Sequence, residues 1–161
     1  MPRPDPFQPA DETARTLART LMAEARFGAL AVLRDGAPFV TRIALAPDPT
    51  GGILALVSDL APHTGALRAD PLCALLVGEP GPKGDPLTHP RLSIQARAHF
   101  ISRDAPNHAT LRAAYLAHQP KAQLYIDFAD FHLVHLAPLD GHLNGGFGRA
   151  FRLTADDLTR P

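Results

Sequence analysis

Apolar and polar positions alternate along several short segments of this chain. Residues 92–101 alternate strictly, which predicts a strand with one buried face and one polar face. Residues 131–136 alternate in the same way, and short apolar runs at 29–33, 38–45, 53–57 and 72–77 predict four more strands. Pro138–Gly141 is expected to form a turn, and the glycine-rich segment 142–151 a last strand. Arg34-Asp35-Gly36 predicts a hairpin turn between the first two strands.

Helical spacing occurs in two or three places. Residues from Asp11 onward predict a helix that Gly28 ends, and residues 104–118 predict another with Asp104 as its N-cap. A short helix is expected at 63–69, ending at Asp70-Pro71 because a residue before proline disfavours the α region. Because most strands are joined by short turns, the pattern favours a mainly β, antiparallel barrel with flanking helices.

Proline and glycine clusters mark the loops and the ends of the domain. Residues 1–10 contain four prolines and are predicted to be a flexible N-terminal arm, or one that orders only against a partner. Residues 47–52 form a turn cluster, whereas residues 78–90 predict a longer loop. The remaining chain, 11–161, has the length of a single domain.

Charge and cysteine content narrow the function classes. Sixteen basic residues balance sixteen acidic ones, which argues against a nucleic-acid or membrane-surface partner. The N-terminus has no secretion-type apolar region and the chain no membrane-length apolar run, so a cytoplasmic location is expected. Cys73, the one cysteine, excludes an internal disulfide and is expected to be an inert core thiol.

Four residues around the third predicted strand could bind an anion. Arg42 lies within a strand, Ser58 ends the next strand, and His63-Thr64 opens the short helix, whose free N–H groups attract phosphate. The alternative is a solvent-facing arginine and a threonine that only caps the helix.

Two loops are weaker candidates for a ligand pocket. Lys83, Asp85 and His89 could edge a pocket, or simply form a surface loop. Residues 144–150 contain glycines that fit either a barrel corner or a close approach to a flat ligand. His132 and His135 point to opposite faces of a strand, so no metal site is expected from them.

The sequence resembles a known family along residues 12–152. The run PFVTRIALAP…GGILALVSDLAPHTGALRADPLCALLV resembles the FMN-binding split-barrel family typified by pyridoxamine 5′-phosphate oxidase. The segments GDPLTHPRLSIQARA and YLAHQPKAQLYIDFADFHLVHLAPLDGHLNGGFGRA resemble its haem-utilisation branch, called HugZ-like or HutZ-like.

The resemblance implies a six-stranded antiparallel split barrel, a homodimer with cofactor sites at its interface, and an FMN-dependent oxidoreductase acting on a small molecule. It places the cofactor on seven residues, with His63 standing where a lysine is usual: Arg42, Ile43, Val57, Ser58, His63, Thr64 and Arg91.

Two other functions stay open. The haem branch implies a haem-binding or haem-degrading protein, but its C-terminal histidine ligand has no counterpart after Gly148. Candidate iron ligands are then His63, His135 and His142. The third possibility is a non-enzymatic dimeric binding module whose flavin site has decayed.

Overall fold

A computed structural model describes residues 5–160 and shows a mainly β protein with four helices. The strands are β1 (Gln8–Pro9), β2 (Phe27–Arg34), β3 (Ala37–Pro47), β4 (Ile53–Ser58), β5 (Leu72–Val77), β6 (Arg91–Phe100), β7 (Phe131–Asn144) and β8 (Ala150–Thr154). The helices are α1 (Glu12–Glu24), α2 (Pro62–Ala69), α3 (His108–His118) and α4 (Ala155–Thr159). Short 3-10 helices cover Pro86–Thr88 and Pro120–Leu124.

Six strands close into an antiparallel barrel in the order β7-β4-β3-β2-β5-β6, and pairing between β6 and β7 completes the circle. This closure confirms the six-stranded barrel expected from the sequence. β8 pairs with the far end of β7, and β1 adds to β8 in parallel. A closed barrel leaves no free sheet edge among its six strands.

Two apolar clusters hold the fold together. The larger fills the barrel and extends to α1, α2 and α4, with Leu30, Leu45 and Leu92 fully buried. The smaller lies outside the barrel, where Tyr115 of α3 packs with Leu54 and Leu133. Cys73 is buried, and burial raises the pKa of its thiol to about 11, as expected for an inert core cysteine.

The turn chemistry read from the sequence is confirmed at the first hairpin. Asp35 and Gly36 adopt φ angles of 52° and 76°, which is the pair of left-handed residues that a two-residue hairpin turn needs. β2 and β3 pair from Phe27–Ala44 to Arg34–Ala37.

Several predicted boundaries were wrong. Gly28 does not end α1: the helix stops at Glu24, and Gly28 lies inside β2, where Leu45 and the Leu76 carbonyl leave no room for a side chain. Asp104 is not a cap, because α3 begins four residues later, after Asn107. Pro138–Gly141 is not a turn, since β7 runs through it with a register shift opposite Gln95/Ala96.

The first and the last described segments of the chain lie close to α1. Within the predicted arm, residues 1–4 lie outside the described residues, and Gln8–Pro9 pairs with β8. Arg15 donates from Nε to Asp157 at 2.7 Å, and Asp157 completes a capping box with Thr154 at the start of α4. These bonds hold the pKa of Asp157 below its ordinary value, the backbone bond from Thr154 first. None of the helices within residues 5–160 is long and apolar enough to span a membrane.

Candidate functional site

The barrel is split between β3 and β4, and the predicted site residues lie along this opening. The two strands pair only from Pro47–Ile53 to Leu45–Ala55, and Arg42 and Ser58 lie beyond the last pair on their respective strands. Ile43 and Val57 are buried in the barrel core, so only their backbones could contact a ligand. Because side chains alternate along a strand, Arg42 and Ser58 point outward.

Arg42 is an exposed cation beside an aromatic ring. Its guanidinium carbon lies 5.3 Å from the centre of the Phe27 ring, and Arg42 pairs across the sheet with Ala29. Within residues 5–160 it forms no ion pair, so its charge is free to meet an anionic group.

The hydroxyl groups of Ser58 and Thr64 are already used by the protein. Ser58 donates from Oγ to Asp130 at 2.9 Å and accepts from the Leu60 amide. Thr64 is buried and donates to the Ser58 carbonyl at 2.5 Å, so it acts neither as a ligand donor nor as the cap of α2. The three hydrogen bonds hold the segment between β4 and α2 in place.

Two carboxylates adjoin Ser58. Asp130 accepts its hydroxyl, and Asp59 accepts from the His132 ring at 2.8 Å. The hydrogen bond from His132 is the largest influence holding the pKa of Asp59 below its ordinary value, and Arg68 adds to it. Two carboxylates therefore lie at the Ser58 end of the split, where they disfavour a phosphate, although Arg68 lies 3.4 Å from Asp59 and offsets part of its charge.

His63 lies in the first turn of α2 and is half-buried. Burial lowers the pKa of its imidazole, which favours the neutral ring. Among the described residues the ring makes no hydrogen bond, and α2 packs mainly on β2. The residue in the usual lysine position is thus an imidazole without a hydrogen-bond partner among the described residues.

Arg91 is the first residue of β6, at the end of the loop before that strand, and does not lie on β3 or β4. It donates from one guanidinium nitrogen to the Leu87 carbonyl at 3.0 Å and pairs with Asn144 of β7. In the same loop Asp85 caps the 3-10 helix, and His89 accepts from the Gly81 amide while its Nε2 lies 2.9 Å from the Lys83 carbonyl. Asp85 and His89 therefore hold the loop itself together.

The glycine-rich segment after β7 is a tight loop and not a strand. Gly146 and Gly148 adopt φ angles of 117° and 71°, and Arg149 bonds back to the Gly146 carbonyl. This arrangement corrects the predicted strand at 142–151: β7 ends at Asn144 and β8 begins at Ala150. Phe147 at the tip is almost fully exposed.

His135, another candidate iron ligand, contacts a buried carboxylate. Its Nδ1 lies 3.1 Å from Oδ2 of Asp48, and a side chain at Gly52 would come within 2.9 Å of its Nε2. Burial lowers the pKa of His135, and neighbouring Asp48 only partly opposes that shift. His142 instead is exposed, with its ring 4.7 Å from Phe7.

Stability is expected to fall as the pH drops below about 6.5. The pKa values of His63 and His135 are lowered in the folded protein. At a pH between the folded and the unfolded pKa, these two side chains are therefore protonated in the unfolded chain and neutral in the folded one, so protonation favours unfolding. Each group can contribute up to about 1.4 kcal/mol per pH unit. Urea unfolding between pH 7.5 and 5 should show this slope, well above the range in which aspartates protonate.

The variants His63→Asn and His135→Asn test the origin of that slope. Each single change is expected to flatten the pH dependence, and the double variant should flatten it most. A slope between pH 6.5 and 5 that survives in the double variant would assign the effect to other groups.

An exposed apolar surface covers the outside of β2 and β5. We call it the outer apolar face; its members are Ala31, Leu33, Leu72, Ala74, Leu76 and Leu139. A shallow cavity of about 300 Å³ opens on it, with Cys73 and Gln95 among its lining residues. Leu76 pairs with Ala29, which in turn pairs with Arg42, so the face is continuous with the candidate site.

The family of the chain follows from comparison with known proteins. The model of the pyridoxamine 5′-phosphate oxidase family matches residues 15–144, so the chain belongs to this family. The closed barrel of six antiparallel strands agrees with that assignment. Relatives in the haem-utilisation branch, which the sequence also resembles, are found as well.

Three similar proteins carry haem in their names. The chain is 32% identical over 117 residues, 73% of its length, to "Non-canonical heme oxygenase HOZ, chloroplastic" of Arabidopsis thaliana. A structure of a heme binding protein from Mycobacterium smegmatis is 28% identical with a TM-score of 0.82, covering 98% of this chain. A structure of HutZ, the heme storage protein from Vibrio cholerae, is 18% identical with a TM-score of 0.60, covers 81% of this chain and 91% of its own, and shows the fold alone.

The chain spans only part of the first two of these proteins. It matches 35% of the length of the plant protein and 61% of the mycobacterial chain.

Proposed function

We propose that this protein binds haem at the split between β3 and β4, beside the outer apolar face. The observation that carries the proposal is the half-buried imidazole of His63, which makes no hydrogen bond with a described residue and occupies the position where a flavin phosphate site needs a cation. Neutral imidazole is a common iron ligand.

The chemistry of the split suits haem better than a phosphate. Ser58 and Thr64 have committed their hydroxyl groups, and Asp59 and Asp130 add negative charge. Among the described residues Arg42 is a cation beside the split without an ion pair, and it can pair with one of the two propionate carboxylates of haem. The outer apolar face offers the surface that a flat, largely apolar macrocycle requires.

The names of the plant and mycobacterial relatives support the same ligand class. Both are at least 28% identical to this chain and both are named for haem. When bound, haem would supply a redox-active iron. The residues of this chain would orient the macrocycle and pair with a propionate.

FMN is the second candidate, and the unpaired Arg42 favours it. In the family that the chain belongs to, an arginine at this place contacts the FMN phosphate, and the backbones of Val57 and Ser58 would then meet the flavin. An FMN-dependent oxidoreductase acting on a small molecule is the function that follows from this alternative.

Titration with each cofactor separates the proposals. We expect haem to give a Soret band with saturable uptake, and FMN to bind more weakly. Arg42→Ala should weaken haem binding about tenfold, corresponding to about 1.4 kcal/mol for one lost charge-assisted contact. Lys121→Ala, which removes an exposed cation on the 3-10 helix after α3, serves as the control.

The outcomes of this titration are distinct. Tight FMN uptake without haem binding would overturn the haem proposal in favour of the flavoprotein. Binding of neither cofactor would favour a non-enzymatic module with a decayed site.

The proposal includes a homodimer formed through the outer apolar face. Large exposed apolar patches mark interaction sites, and zero net charge removes repulsion between copies. Leu76→Arg should shift sedimentation toward the monomer, because it places a charge within the apolar patch. Leu124→Arg, at an equally apolar but isolated exposed position, should leave the mass unchanged. A dimer that persists in Leu76→Arg would exclude this face.

A further inference from the structure

We propose that His63 is the axial ligand of the haem iron. This inference rests on the proposed haem binding and specifies which of the eight histidines performs it.

Four histidines are committed to other partners. Nδ1 of His89 accepts a hydrogen bond from the Gly81 amide, and its Nε2 lies 2.9 Å from a carbonyl. His118 has Nε2 at 3.2 Å from the Ala25 carbonyl, and His132 has Nε2 at 2.8 Å from Asp59. His135 has Nδ1 beside Asp48 and Nε2 against Gly52, so an iron would have to displace backbone.

Three others lie away from the split. His99 is exposed on β6 with its ring 6.3 Å from that of His135. His108 begins α3, on the side of the smaller apolar cluster, and His142 is exposed near the end of β7 beside Phe7. His63 is the one histidine in the first turn of α2, the helix that follows β4 and the opening.

The backbone around His63 is fixed on both sides. Pro62 occupies the first position of α2, and Thr64 is buried and bonded to the Ser58 carbonyl. Ala66 and Leu67 then anchor the helix in the barrel core. A ligand held by so rigid a turn is oriented before the metal arrives, which lowers the entropic cost of coordination.

The state of the ring also suits coordination. A metal binds an imidazole through the lone pair of a ring nitrogen. With no hydrogen bond to another described residue, the ring loses no internal partner on binding.

Spectroscopy of the haem-loaded protein tests the assignment. We expect His63→Ala to shift the Soret band and to lower haem affinity at least tenfold, and added imidazole to restore the wild-type spectrum. His142→Ala, which removes an exposed histidine named as an alternative ligand, should change neither. Resonance Raman of the ferrous wild-type complex should show an iron–imidazole stretch, which keeps the test valid if His63→Ala folds poorly.

The failure of this inference is distinguishable from failure of the proposed function. Wild-type protein that takes up no haem would overturn the function itself. Wild-type protein that binds haem while His63→Ala keeps the same Soret position and affinity would overturn only the ligand assignment. A spectral shift in His142→Ala alone would also overturn it.

Discussion

Replacing Gly78 with alanine should lower the free energy of unfolding by about 3 kcal/mol or more. Gly78 has a φ of 98°, a region that alanine rarely adopts, and an added Cβ would lie 2.5 Å from the Pro90 carbonyl oxygen and 2.8 Å from Arg91 Cα. Both contacts are with backbone, so no side-chain rotation can relieve them. The start of β6 would have to move, and Arg91 with it.

Substitutions at two other glycines separate the cost of the backbone conformation from the cost of steric overlap. Gly36→Ala meets no atom within 4 Å but has a φ of 76°, so it should show the conformational cost alone, about 1 kcal/mol. Gly65→Ala lies inside α2 with open space around it and should be neutral or stabilising by up to about 1 kcal/mol. Urea unfolding of the three variants should give this order, and equal effects at Gly78 and Gly36 would contradict the steric argument.

Asp48→Ala is expected to cost about 3 kcal/mol, because it removes the two hydrogen bonds that this buried carboxylate accepts from Thr50, each worth about 1.5 kcal/mol. The side chain of Asp48 is fully buried, and its Oδ1 accepts from both the amide and the hydroxyl of Thr50 at 2.7 Å. Its Oδ2 lies near His135 but has no aligned hydrogen bond among the described residues. Asp48 therefore links the β3–β4 turn to β7.

A matched control exists in the loop before β6. Asp85 also accepts an amide bond from the residue two positions ahead, Leu87, but it is exposed. Asp85→Ala should therefore cost no more than about 1 kcal/mol. Asp48→Asn keeps an oxygen for Thr50 and should recover much of the loss. Thermal unfolding at pH 7.5 measures all three, and equal losses in Asp48→Ala and Asp85→Ala would refute the role of burial.

The sequence predicted the barrel because alternating apolar positions mark its strands and turn residues mark their ends. The alternation at 92–101 and the Asp35-Gly36 turn were sufficient for β6 and the first hairpin. The prediction failed at Pro138–Gly141, where a register shift opposite Gln95/Ala96 lets proline and glycine remain in a strand. Such a shift depends on the neighbouring strand, which lies about 40 residues away in sequence and leaves no local signal.

The candidate site could be predicted only in part, because some of its contacts also join residues that are distant in sequence. From the order of strands along the chain, the sequence predicted that Arg42 and Ser58 could contribute to one anion site, and the structure places both beyond the last β3–β4 pair. It could not reveal that Ser58 is bonded to Asp130, 72 residues later, or that Thr64 is bonded back to Ser58. Distant partners decide whether a hydroxyl is free for a ligand.

β3 and β4 are joined by only a short run of backbone pairs, and we call this junction the seam. The barrel should open most easily there. The seam is paired only at Pro47–Ile53, Ala46–Leu54 and Leu45–Ala55, and Pro47 has no amide hydrogen to donate. β3 is meanwhile held along most of its length by β2. Amide hydrogens flanking the seam should therefore exchange with solvent early, without unfolding of the whole barrel. A ligand lodged in the opening would slow that exchange, so the backbone itself can report occupancy of the site without any coloured cofactor.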